Sequence, residues 1–425
     1  MQLSHTARLV LAAVLFTLAA SAASVHAQVL STLAASAASA QGQASAGAKP
    51  ADAVDPGASA ASSGALLVRA GSDVGAYADS DHVYVLTPSL SANVAKPLAG
   101  WSVGGQYLVD AVSAASVDIV ATASRNWHEV RHAGTLHGNY KPGAFGVAAQ
   151  AGLSAEPDFV NWSVGAQATQ DLADQNVTLL FGFSHAHDVA GRTGTPFSVF
   201  SRSLDREGLK AGVTLLMDEA TLLQLTLDTN LEHGDPSKPY RYIPMFAPGV
   251  DVPRGASVER VNQVRLSSRP LEQLPLSRDR FGFSVGLLHR FDASTIRLDE
   301  RLYADTWDML ASTTDARWIF DIGRVLELGP HVRGHGQSAV SFWRRAYVLQ
   351  PGLRIPAFRT GDRELGPLLA ATVGLTLRVR LGPSDNRDQW RLGWDMNLTE
   401  TKFLDDLYVK ARASVYSSLS LEAQL

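Results

Sequence analysis

The residues best able to do chemistry sit on one alternating stretch of the chain. Arg297, Asp299, Arg301, Tyr303 and Asp305 take every second position, opposite Ile296, Leu298 and Leu302. Successive side chains of a β-strand point to opposite faces, so these five form a ladder of alternating charge on one face. Arg333, His335 and Gln337 repeat the arrangement further on. Around an aqueous passage, rings of such side chains sort solutes by charge. Inside a closed barrel the same residues fill the lumen with salt bridges. Both uses are open at this point. Glu300 falls on the apolar side of the ladder, where a charge is tolerated only near a membrane interface or against a neighbouring subunit.

Other combinations are weaker. His185-Ala186-His187-Asp188 puts two imidazoles on one strand face roughly 6.8 Å apart, but a metal site needs further ligands that the sequence does not place beside them. His128 and His132 are twice as far apart. Gly282-Phe283-Ser284-Val285-Gly286 matches G-x-S-x-G, yet a nucleophile elbow needs a strand, a strained turn and a helix. Here the string lies inside an alternating strand, with Ser284 on its small face. Arg378, Arg380, Arg391 and Asp395 share the inward faces of two consecutive strands, where cross-strand pairing is the default. The expectation is a protein without catalytic residues, bound metal or cofactor.

Composition narrows the setting. The chain has 425 residues, of which 18% are charged, below the roughly 25% of soluble domains. The net charge of −4 offers no basic field to nucleic acid. The absence of cysteine removes disulfides, thiolate catalysis and Cys-based zinc sites. Apolar residues make up 46%, but no run approaches the ~18 needed for a transmembrane helix.

The elements that must carry the ladder follow from periodicity. Arg8, the apolar stretch Leu9 to Ala20, and Val25-His26-Ala27 before Gln28 have the form of a secretory signal peptide, cleaved between Ala27 and Gln28. Residues 28–79 are read as an Ala/Ser/Gly-rich linker and 80–425 as the main domain. There the dominant period is two. Between Thr221 and Glu232, Leu223, Leu225, Leu227 and Leu231 oppose Gln224, Thr226, Asp228, Asn230 and Glu232. Long alternating segments of this kind cross a bilayer as tilted strands. Trp101, Trp127, Tyr140, Trp162, Trp307, Trp318 and Trp390 lie near segment ends, where interfacial girdles belong. The expected fold is all-β: an antiparallel transmembrane barrel of about 14 strands, range 12–16, at roughly 24 residues per strand and connection. The proline-rich segment 233–278 is its longest connection, expected outside the cell or folded into the lumen.

Three short motifs add a resemblance. Val109-Asp110-Ala111-Val112-Ser113-Ala114-Ala115-Ser116, Leu302-Tyr303-Ala304-Asp305-Thr306-Trp307, and Arg333 to Trp343 (RGHGQSAVSFW) together resemble an uncharacterised outer-membrane barrel family of Gram-negative bacteria, a domain of unknown function. Gly334 and His335 depart from its tyrosine-rich pattern. The resemblance implies a barrel in the cell outer membrane and no reaction. The expected role is a porin-like channel for small solutes. A structural or assembly barrel with a plugged lumen is the alternative, and an outer-membrane hydrolase a third reading. The expected partners are outer-membrane lipid and lipopolysaccharide, the barrel-insertion machinery and, if it assembles, a second copy of itself.

Overall fold

The structure is a computed structural model and describes residues 66–112, 129–349, 352, 354–382 and 389–425. The cleavage site at Ala27 and Gln28, the girdle candidate Trp127 and motif residues 113–116 lie outside them. Sixteen strands form the wall. The first eight are β1 (Leu67–Asp79), β2 (Tyr84–Lys96), β3 (Trp101–Val112), β4 (Glu129–Tyr140), β5 (Phe145–Glu156), β6 (Phe159–Leu172), β7 (Val177–Ala190) and β8 (Arg202–Leu216). They are followed by β9 (Thr221–Gly234), β10 (Ser277–Arg290), β11 (Ser294–Asp305), β12 (Leu310–Ile322), β13 (Leu326–Gln337), β14 (Leu368–Arg380), β15 (Trp390–Phe403) and β16 (Ala411–Gln424). Each pairs antiparallel with its sequence neighbours, and β1 closes the ring on β16, with Val74 opposite Leu419. Among the described residues no helix is long and apolar enough to cross a membrane.

Sixteen strands stand at the top of the expected range. One reason is β1, which occupies Leu67–Asp79 inside the stretch read as linker. Its outward positions (Val68, Ala70, Ser72, Val74, Ala76 and Ala78) are mostly small, so its period-two signal is faint. The second reason is turn length: 97–100, 141–144, 173–176, 217–220, 291–293 and 323–325 suffice at one end of the barrel.

The outward face is apolar. Leu90, Val103, Leu136, Leu153, Phe181, Leu209, Leu227, Leu302, Val332, Val373 and Leu419 are all exposed there. Leaving such side chains in water would forgo about 1.5–3 kcal/mol each, and soluble monomers do not carry an apolar band of this extent. Tyr140, Phe145, Trp318 and Trp390 are exposed toward the short-turn end, and Trp162 and Tyr84 toward the other. Trp307 is not part of a girdle. It is buried in a turn.

The hydrophobic core lies in the mouth at the long-loop end. The 235–276 and 338–367 loops fold against each other there, and Met245–Phe246 pairs in parallel with Tyr347–Val348. Phe246, Val252, Ala256, Val261 and Leu407 form one buried cluster. Leu274, Trp307, Met309, Val340 and Trp343 form another. A short helix, α1 (Val258–Val264), is capped by the Ser257 side chain, which accepts from Arg260 N–H, and it buries Val261.

The loop leaving β9 crosses the opening. Ala256 N–H donates to Leu407 C=O in the β15–β16 turn, and the Tyr240 hydroxyl donates to Asp158 in the β5–β6 turn. A segment that starts and ends at β9 and β10 yet touches both of these distant turns spans the mouth. The segment expected outside the cell or folded into the lumen thus forms a cap over the lumen's end.

Candidate functional site: lumen and capped mouth

The ladder faces inward as alternation requires, and the structure divides it in two. Toward the short-turn end, Arg297 Nε lies 2.6 Å from Asp299 Oδ2 on its own strand. Arg301 reaches across β10 to grip Asp228 of β9, with Nη1–Oδ1 2.7 Å and Nη2–Oδ2 2.8 Å, and donates to Ser284 Oγ at 3.1 Å. The guanidinium passes over Gly282, where a Cβ would fall on it and 2.7 Å from Asp228 Oδ1. The G-x-S-x-G string is therefore barrel wall: its first glycine makes room for Arg301, and its serine accepts a hydrogen bond. Arg297 and Arg301 side chains are each 42% exposed, so these pairs are solvated.

Two residues further on, the environment changes. The Asp305 side chain is fully buried. Its Oδ2 accepts from Tyr303 Oη and from Arg278 Nε, both at 2.8 Å, and its Oδ1 accepts the N–H groups of Trp307 at 2.9 Å and Met309 at 3.0 Å. Arg278 also stacks over the Trp307 ring, 4.2 Å from its centroid, and the indole N–H donates to Ser277 C=O. The Leu302–Trp307 motif is thus a clasp that closes the β11–β12 turn.

Its partner motif does similar work. His335 Nδ1 lies 2.7 Å from Thr313 Oγ1 and its Nε2 3.2 Å from Gln337 Oε1. Gln337 donates to the carbonyls of Glu364 and Gly366, and the Trp343 indole to that of Asp362. Arg333 is exposed in the lumen and has no ion-pair partner among the described residues. In the first motif, Asp110 accepts from Thr87 at 2.6 Å and Arg131 at 2.7 Å.

The cap carries an ionic network that alternation could not have revealed. Arg241 donates to Asp362 at 2.8 Å and Glu272 at 3.2 Å, and Glu272 also accepts from Thr360 Oγ1 and Lys238 N–H. Glu272 has no solvent exposure. Burial disfavours the Asp362 carboxylate, but the Arg241 guanidinium, the Glu364 N–H and the Lys238 charge together outweigh it and hold that carboxyl below the usual carboxylate range. Arg363 binds Asp81 at 2.6 Å and Arg412 of β16 binds Glu364 at 3.2 Å, tying the 338–367 loop to the β1 and β16 rim.

The histidine cluster comes apart. His185 and His187 point outward, flanking Trp162 with ring centroids 5.2 and 6.1 Å away, and His187 Nδ1 lies 2.7 Å from Asp205. Asp188 points inward and accepts from Asn161 and Arg206. The wall separates the imidazoles from that carboxylate, so the three cannot act on one substrate. Glu300 faces outward as expected. The hydroxyl of Ser312 donates to it at 2.6 Å and that of Thr314 at 2.5 Å. Arg378 pairs with Glu327 on β13 rather than with Asp395, which instead accepts from Thr376.

A sequence family described as a protein of unknown function (DUF3570) matches residues 25–397. No curated protein matches the chain. Solved structures match the chain at low identity. The siderophore receptor PirA from Pseudomonas aeruginosa is 10% identical over 79% of this chain and 56% of its own, with a TM-score of 0.40. The toluene transporter TodX from Pseudomonas putida is 10% identical over 84% and 89%, with a TM-score of 0.36. OccK11 (OpdR) from Pseudomonas aeruginosa is 10% identical over 85% and 96%, with a TM-score of 0.34. The chain spans little more than half the length of the siderophore receptor.

Proposed function

The chain belongs to the DUF3570 family of proteins of unknown function, and from that premise we propose that it is a porin-like pore of the Gram-negative outer membrane, passing small solutes through a mouth narrowed by its own loops. The observation that carries this reading is the solvated ion pairing of Arg297, Asp299, Arg301 and Asp228 on the inner wall of a sixteen-stranded barrel. Barrels of about 16–18 strands are wide enough to enclose an aqueous channel, and half-exposed charges midway along a strand mean water beside them. The apolar outer band fits lipid, with lipopolysaccharide and the barrel-insertion machinery as partners. The short-turn end, which holds both barrel termini, is the periplasmic side and the capped end the extracellular one.

The buried Arg241–Glu272–Asp362 network favours a second reading, a barrel whose cap acts as a permanent plug. Single-channel recording in a planar bilayer separates the two. The pore reading expects stepwise conductance from the purified full chain after signal removal. It also expects the ion preference to move when Arg297, Arg301 and Arg333 are changed together to glutamine. A folded barrel that passes no current overturns it in favour of the plug.

A further inference from the structure

We propose that Glu129, Glu156 and Asp158 form a calcium site that staples the loop crossing the mouth to the barrel wall. Glu129 opens β4, Glu156 ends β5, and Asp158 sits in the two-residue turn that follows, so two neighbouring strands and the turn after them bring these carboxylates together at the long-loop end. One oxygen from each lies within 4.8 Å of the others. Glu129 is 4% exposed and Asp158 7%. The cluster is therefore not a solvated acidic surface, where like charges are screened by water.

What points to a ligand is the state of the oxygens. Oε2 of Glu129 and Oε2 of Glu156 are buried and have no hydrogen-bond partner among the described residues. A buried carboxylate oxygen left without a donor is costly. The neighbouring cation, Arg131, is committed to Asp110 at 2.7 Å. Asp158 has donors on Oδ2, from Tyr240 Oη at 2.5 Å and Thr193 Oγ1 at 2.9 Å. These neutral groups leave its charge uncompensated. A divalent cation among the three would cancel most of the cluster's charge and occupy the orphaned lone pairs.

The donor chemistry selects the ion. The set is oxygen only and anionic, which suits a hard divalent cation and not zinc or copper. Calcium tolerates irregular sites of 6–8 oxygens completed by water, whereas magnesium demands near-ideal octahedral geometry. The mechanical consequence follows from Asp158. It is the acceptor for Tyr240 of the 235–276 loop and Thr193 of the 191–201 loop, so fixing this carboxylate fixes both loops to the β5–β6 rim. This inference does not depend on whether the barrel conducts.

The test uses the full chain after signal removal, purified free of lipopolysaccharide (itself a calcium binder) in a non-ionic detergent. Calorimetric titration with calcium chloride should show one site of Kd about 10⁻⁴–10⁻³ M, the range of extracellular calcium modules. The doubly substituted variant Glu129→Gln, Glu156→Gln should bind at least tenfold more weakly. It should also unfold at higher temperature than the wild type in chelator, because it has lost the repulsion that calcium would relieve. Limited proteolysis reads the staple without any variant: cleavage within 235–276 should slow when calcium is added. Absence of binding heat together with calcium-independent cleavage overturns the proposal. So does a variant that binds calcium as well as the wild type.

Discussion

On β11, Arg297, Asp299 and Arg301 share one face and one sequence pattern with Tyr303 and Asp305, but the two groups lie in different environments. Arg297 and Arg301 face water, their pairs with Asp299 and Asp228 half-exposed. Tyr303 and Asp305, one and two steps further along the same face, lie under the loop layer, and Asp305 is sealed off by Arg278, Trp307 and Met309. The difference is made by chain that arrives from elsewhere, not by the strand. An ion pair in water contributes about 0–1 kcal/mol, while breaking one that is buried costs about 3–5 kcal/mol because a charge is stranded. On the pore reading the wet half is therefore free to be tuned for solutes, while the dry half holds the mouth in shape.

The sharpest way to break this comparison is Asp305→Ala. It strands the Arg278 guanidinium and orphans two backbone N–H groups, so a loss of about 3–5 kcal/mol is expected. The urea midpoint of the detergent-folded barrel measures it, and a loss below about 1 kcal/mol, the scale of an exposed pair, would show that the two halves do not differ energetically.

Much of this was legible in the sequence. The alternation of Leu223, Leu225 and Leu227 with Gln224, Thr226 and Asp228 gives strand, face and membrane together, because side-chain direction is a local property of the backbone. The inward direction of Arg297 through Asp305 follows in the same way. β1 was hidden because Ala70, Ser72, Ala76 and Ala78 satisfy the outward face without looking apolar. The clasp around Asp305 was hidden because Arg278 and Trp307 reach it from either side of a hairpin. The Arg241–Asp362 pair joins residues 121 positions apart, and no periodicity carries that information. His187 and Asp188 mislead for a related reason: sequence neighbours on a strand lie on opposite sides of the wall.

Next in size is the cap network. Arg241→Ala leaves Glu272 and Asp362 buried without their guanidinium, a local loss of about 3 kcal/mol. It should appear as faster proteolysis of the 235–276 and 338–367 loops and, if the pore conducts, as larger or longer-lived openings. The barrel's urea midpoint should barely move. Acid gives the same lever without mutation. The Asp362 carboxyl is held below its usual range. Its stabilisation is therefore complete above the unfolded value of about 4 and is lost as the pH falls through the lower folded value. Protection of the cap's amides against hydrogen exchange should drop below that window in the wild type, and Asp362→Asn should flatten the dependence.

A smaller effect is expected where the wet half is packed rather than charged. Gly282→Ala puts a methyl group where the Arg301 guanidinium crosses β10. The side chain is long enough to move aside, so the loss should be about 1 kcal/mol, the lower end of the overpacking range. The displaced guanidinium would leave Asp228 facing the lumen, and ion preference should shift toward cations. Unchanged selectivity with unchanged stability would mean that the Arg301–Asp228 pair does not shape the passage.

The smallest effect on stability and the clearest on transport belongs to Arg301→Gln. The side chain is 42% exposed, so its loss should cost no more than about 1 kcal/mol. What changes is the field: Asp228 keeps its charge, and together with Arg297→Gln the lumen loses two cations while Arg333 remains. Reversal potentials under a salt gradient should then favour cations over wild type, more at low ionic strength than at high, because screening shortens the reach of lumen charges. The same two changes made at Arg278 and Arg241 should do the reverse, costing stability while leaving selectivity almost untouched. If all four substitutions behaved alike, the division of β11 into a working half and a holding half would fail.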